Sequence, residues 1–194
     1  MESLSVGVDS WIIQDGNYGD FTVGQKTQFA LEFYPHSLHP SDRKSPAATN
    51  LKGSLYQVCG QVVYRRNNVW ILDAGFLAYQ ESQPPAFVTE GSWVEGEIYL
   101  GIDPFMYFEH LKNRSGMPSL TYTFRIGQIF LETTPWLTNA DESGTTMVRD
   151  QENESFREVT ETDAWNDDGG NAHYVLKCFP IDRRIKQSLA ADAR

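Results

Sequence analysis

Ser92-Trp93-Val94-Glu95-Gly96-Glu97-Ile98-Tyr99-Leu100-Gly101-Ile102-Asp103-Pro104-Phe105 is the stretch from which the fold is read. It alternates with period two. Val94, Gly96, Ile98 and Leu100 fall on one face of a strand, and Trp93, Glu95, Glu97 and Tyr99 on the other. A strand patterned this way lies with one face on a core and the other toward water. Asp103 then suits a helix N-cap, and Pro104 the first helical position, where its missing N–H is not needed. Phe105, Phe108 and Leu111 follow at helical spacing. Gly116 and Pro118 close the segment, which predicts one short helix.

Outward from this stretch the signals are those of strands. Residues 121–133 put Tyr122, Phe124 and Ile126 on one face. Upstream, residues 55–66 and 69–79 read as a hairpin turned by Asn67-Asn68, because asparagine tolerates the left-handed conformation. Residues 4–13 and 27–34 read as two further N-terminal strands, and residues 35–53, with Pro35, Pro40 and Pro46, as a polar loop. Residues 172–181 alternate again and form the last strand. The expected architecture is mainly β: a single domain over residues 1–182, an antiparallel barrel or sandwich, with a polar C-terminal tail at 183–194.

From Leu55 onward this order is three strands, a helix, a strand, a long connection and a strand. It resembles an OB-type Greek key over residues 53–182, with two extra N-terminal strands. The resemblance implies that ligands meet the second and third strands of the barrel and the connection before the last strand. Here that connection spans 135–171, and connections of such length inside compact domains are functional or disordered.

Charge singles out the same connection. The chain carries a net charge of −10. Ten acidic residues between Asp141 and Asp168 face only Arg149 and Arg157, so most of the excess sits in one segment. Its field repels nucleic acid and anionic membrane and attracts a basic partner. Glu158, Glu161, Asp163, Asp167 and Asp168, with Trp165 set among them, are the candidate partner-binding residues, since an aromatic ringed by charge has the make-up of an interface anchor. The alternative is a solvated loop with Trp165 folded back onto the domain. The resulting expectation is a non-enzymatic module that binds a basic protein, in its most concrete form an inhibitor of the immunity type found beside bacterial toxins. That class is reached by analogy of charge and size.

A second expectation is a small-ligand pocket, or a carboxylate-dependent enzyme, around Asp73, Trp93, Glu95 and Glu97. Asp73 ends the apolar run Val69-Trp70-Ile71-Leu72, where burial would raise its pKa. The plainer reading puts Asp73 at a strand end, hydrogen-bonded to backbone. A third expectation is a structural subunit whose strand edges pair in a homo-oligomer.

Other chemistry is not supported by spacing. An EF-hand register across residues 163–171 places Ala164 and Val175 at ligand positions, and neither offers a side-chain oxygen. His36 and His39 lack a supporting cysteine, histidine or carboxylate at zinc-site spacing. There is no nucleophile elbow and no glycine-rich phosphate loop, so no cofactor or metal is expected. Cys59 and Cys178 lie in apolar runs and read as buried thiols, with a bridge possible only if their strands are neighbours. The first residues carry no basic-then-apolar leader and no apolar run is long enough to cross a bilayer, so a cytoplasmic location is expected.

Overall fold

The structure, a computed structural model, describes residues 3–141 and 144–181. Glu142 of the acidic segment and the expected tail at 183–194 lie outside the described residues. The chain forms β1 (Leu4–Asp9), α1 (Ser10–Gln14), β2 (Lys26–Pro40), β3 (Ala47–Lys52), β4 (Leu55–Arg66), β5 (Val69–Asp73) and β6 (Leu77–Glu81). It continues through β7 (Trp93–Ile102), a π-helical turn (Tyr107–Leu111), β8 (Thr121–Glu132), β9 (Trp136–Asp141), β10 (Gly144–Arg149), β11 (Phe156–Val159) and β12 (His173–Pro180).

Ten strands form one large sheet in the order β11-β8-β12-β1-β7-β2-β6-β5-β4-β3. Extra pairings, β8 with β2 and β7 with β4, turn that order into two closed circuits sharing the β2–β7 seam. One circuit is β2-β8-β12-β1-β7 and the other is β2-β6-β5-β4-β7. The pairing is mixed, where an antiparallel sheet was expected: β1 meets β7 and β2 meets β6 in parallel. Hairpin β9–β10 stands apart as a two-stranded sheet.

β7 fulfils the alternation that its sequence encodes. Val94, Gly96, Ile98, Leu100 and Ile102 face inward, while Trp93, Glu95, Glu97 and Tyr99 do not. The inward face needs a glycine where β2 bulges around His36. Gly96 has φ +139°, and a Cβ there would stand 1.8 Å from the Ser37 carbonyl oxygen. Burial of the inward faces builds the main core, with Phe29 stacked on Phe124 and Phe33 edge-on to Trp70, both at 4.8 Å between centroids. A smaller core (Ala30, Tyr64, Ile71, Tyr79, Tyr107, Leu111) lies on the other face of β2, β4, β5 and β6.

Several expected elements are corrected. Residues 10–14 are helical rather than strand, because Ser10 donates to the Gly170 carbonyl at 2.7 Å and one turn suffices to bury Ile12 and Ile13. Of residues 35–53, only 41–46 and the turn at Gly53 are irregular: β2 runs on to Pro40 along β7, and β3 pairs with β4. Residues 69–79 break into β5 and β6 at the Asp73 turn. The helix expected from Pro104 does not start there, since Phe105 takes φ +78°. Only a π turn follows, tied at its start by Tyr107 N–H donating to Asp103 Oδ1 at 3.0 Å. The 135–171 connection holds a hairpin and β11. Cys59 and Cys178 are buried, free thiols on β4 and β12, which are not neighbours in the sheet. Among the described residues no helix is long and apolar enough to cross a membrane.

Candidate functional site

A cavity of about 460 Å³ opens where β1, β7, β12, the β3–β4 turn and the β9–β10 hairpin converge. Its walls gather four of the exposed aromatic side chains: Trp11 (50% exposed), Tyr34 (45%), Tyr99 (43%) and Trp136 (38%). Tyr34 and Tyr99 are direct cross-strand partners on β2 and β7, so their rings stand side by side on one face. Trp11 projects from α1 because Ile12 and Ile13 turn inward. Trp136 opens β9.

Charged groups rim these aromatics in pairs. Asp9 ends β1 and His173 begins β12. The antiparallel register sets them opposite, with His173 Nδ1 2.6 Å from Asp9 Oδ1. Lys52 Nζ lies 2.5 Å from Glu154. Arg149 lies 3.9 Å above the Trp136 ring centroid, 2.5 Å from Asp168 and 3.8 Å from Glu132, and donates to the Thr134 carbonyl at 2.6 Å. The Trp136 indole N–H also donates to Asp168, at 3.0 Å. A neighbouring concavity shares Glu132, Trp136 and Arg149 with this groove and is lined further by Asn166, Asp167 and Asp168. The acidic segment therefore adjoins the groove through one arginine and one tryptophan.

The floor is narrow at Gly7. A Cβ there would meet His173 Cε1 at 3.1 Å and Ser54 Oγ at 3.2 Å. Ser54 is buried at the β3–β4 turn. Serine, histidine and aspartate thus gather around Gly7, with His173 hydrogen-bonded to Asp9. The groove offers a hydroxyl, an oriented imidazole and aromatic faces to a ligand.

The sequence-predicted residues divide into two sets. In the acidic segment, Thr162 and Ala164 are pinned inward by Asp20: Thr162 Oγ1 and Ala164 N–H both donate to Asp20 Oδ1, at 2.8 and 3.0 Å. Glu161, Asp163 and Trp165 alternate outward. Trp165 is 68% exposed and does not fold back onto the core. Asp163 accepts from the Asn166 side chain at 2.9 Å, Asp167 from the Tyr174 hydroxyl at 2.8 Å, and Glu158 from Gln128 at 3.1 Å. Burial and the bond to Asp167 push the Tyr174 phenol up.

In the second set, Asp73 and Trp93 both stand opposite Gln61 of β4, and Glu95 and Glu97 follow along β7. Asp73 ends β5 and accepts from Gly75 N–H at 3.0 Å, the plain strand-end role. Glu95 accepts from Ser41 at 2.7 Å with His39 4.0 Å away, and Glu97 lies 3.9 Å from His36. Asp73, Trp93, Glu95 and Glu97 line neither concavity described above. Their face of β7 reaches the groove at Tyr99 and Gly101. Among the described residues no three His, Cys, Asp or Glu side chains are grouped to hold a metal.

Sequence reasoning missed Trp11, Tyr34 and the Asp9–His173 pair as site residues. Only the pairing of the first strand with the last makes that aspartate and histidine neighbours. Compared with known protein families, curated proteins and solved structures, the chain matches none.

Proposed function

We propose that this chain is a non-enzymatic protein-binding module for a basic partner, in which the acidic segment attracts the partner and the aromatic groove seats it. The observation that carries the reading is the continuity of the two through Trp136, Arg149 and Asp168. Long-range attraction is supplied by carboxylates with no cationic partner among the described residues, Glu158, Glu161 and Asp163. Short-range fit is supplied by exposed aromatics, which bury large area at low entropic cost. The narrower form is an inhibitor of the immunity type that covers a cationic site on a toxin, where charge complementarity gives fast association. The OB-like Greek key is likewise an inference.

A second reading is favoured by the paired rim charges. A groove of about 460 Å³ with aromatic walls and internally compensated charges also suits a small polar ligand. The two readings are separated by affinity capture from the native host, followed by binding of the purified candidate to wild type, Trp11→Ala and Glu158→Gln/Glu161→Gln. The protein-binding reading expects a basic partner whose affinity falls in both variants. A partner indifferent to both would overturn it.

A further inference from the structure

We propose that Glu32 and Asp103 form a buried proton-binding site behind the groove, and that its occupancy sets the hold on Tyr34 in the groove wall. This deepens the binding reading by giving it a regulator, but its test is read on the protein alone.

Glu32 sits where β2 changes partners. The strand leaves β8 after Ala30 and takes up β6 at Glu32, which is registered with Tyr79 on one side and Gly101 on the other. Its carboxyl is buried, and Oε2 has no hydrogen-bond partner. Asp103 follows β7 and is wholly buried. Its Oδ1 accepts from the Tyr79 hydroxyl at 2.5 Å and from Tyr107 N–H, while Oδ2 has no partner. Two carboxyls thus each leave an oxygen unmet inside the protein, within electrostatic reach of one another. Keeping both ionised there is costly, and a proton bound by the pair removes one of the two charges.

The groups facing them add negative charge or hydroxyls. β6 brings Tyr79 and Glu81, β2 brings Tyr34, and β1 brings Asp9, which acts on Tyr34. Tyr18 donates to the Asp103 carbonyl oxygen at 3.0 Å. No cation figures among the strongest influences on either acid. Burial first, then Asp103 and Glu81, push Glu32 up to about 7, against the effect of the nearby Tyr34 hydroxyl. Burial likewise pushes Asp103 up.

Tyr34 links this site to the groove. It stands two residues after Glu32 on the same side of β2, and its ring lines the groove beside Tyr99. A carboxylate attracts a neighbouring hydroxyl more strongly than the neutral acid does. Ionised Glu32 therefore holds Tyr34 back, and protonated Glu32 relaxes that hold.

The test is NMR of free protein labelled with ¹³C in tyrosine rings and glutamate carboxyls, titrated from about pH 5 to about pH 9. Histidines titrate in the same window, so His173→Gln is the control for the groove's own imidazole. The expected result is a Glu32 carboxyl midpoint near neutrality, a Tyr34 ring shift with the same midpoint, persistence of both in His173→Gln, and loss of the Tyr34 shift in Glu32→Gln. A Tyr34 ring that is silent with pH, or that titrates only while His173 is present, would overturn the proposal. So would a Glu32 carboxyl in wild type that titrates like a surface glutamate, a reading that needs no variant to fold.

Discussion

Asp168 stands 2.5 Å from Arg149, whose guanidinium stacks 3.9 Å above Trp136. This contact ties the acidic segment to the β9–β10 hairpin and to the groove at once. Arg149 is only 12% exposed and Asp168 25%, so solvent screens the pair incompletely. In a double-mutant cycle with Arg149→Met and Asp168→Asn, urea unfolding should give a coupling energy of about 1–2 kcal/mol. A coupling near zero would mean that the contact does not hold the two parts together.

The proton site has a consequence for stability, separate from the groove. A folded-state pKa of about 7 on Glu32 lies above the ordinary value of 4.5. The folded protein then binds the proton more tightly than the unfolded chain. The associated stability is complete below about pH 4.5 and is lost as pH rises through about 7, by about 3 kcal/mol in all. Glu32→Gln should match wild type at pH 5 to within about 1 kcal/mol and exceed it by about 3 kcal/mol at pH 8. Equal stabilities of the two at both pH values would contradict this.

Gly96 tests the shared seam. With φ +139° and the Ser37 carbonyl where a Cβ would go, Gly96→Ala must push β2 away from β7. The expected loss exceeds about 3 kcal/mol in chemical denaturation. An unaltered unfolding midpoint would show that the β2 bulge relaxes freely.

Trp165 separates recognition from folding. It is exposed, so Trp165→Ala should change stability by no more than about 0.5 kcal/mol. As an interface anchor it should weaken partner binding by about 10- to 100-fold, measured by calorimetry. Unchanged affinity would remove Trp165 from the interface.

Local patterns were legible in the sequence where a single strand or turn carries its own signal. The alternation of β7 and the Asn67-Asn68 turn, with Asn67 at φ +55°, are found as read. The helix after Asp103 was misread because its cap and Pro104 are sound but Phe105 adopts a left-handed conformation that only tertiary packing imposes. Trp11-Ile12-Ile13 reads as strand because β-branched residues favour strands, yet a single turn anchored by Ser10 overrides that preference. The acidic segment was visible as charge. The groove was not, since Asp9 and His173 stand at opposite ends of the chain and meet only through the β1–β12 register.

The most direct test of the account is the association rate of the captured basic partner, measured by stopped flow across a range of salt for wild type and for Glu158→Gln/Glu161→Gln. These glutamates are exposed and form no ion pair among the described residues, so the variant keeps the fold. If the acidic segment steers the partner to the groove, the wild-type rate falls steeply with salt, and the variant binds more slowly, by about tenfold at low salt, with a shallower salt dependence. Identical rates and identical salt dependence in the two proteins would contradict it.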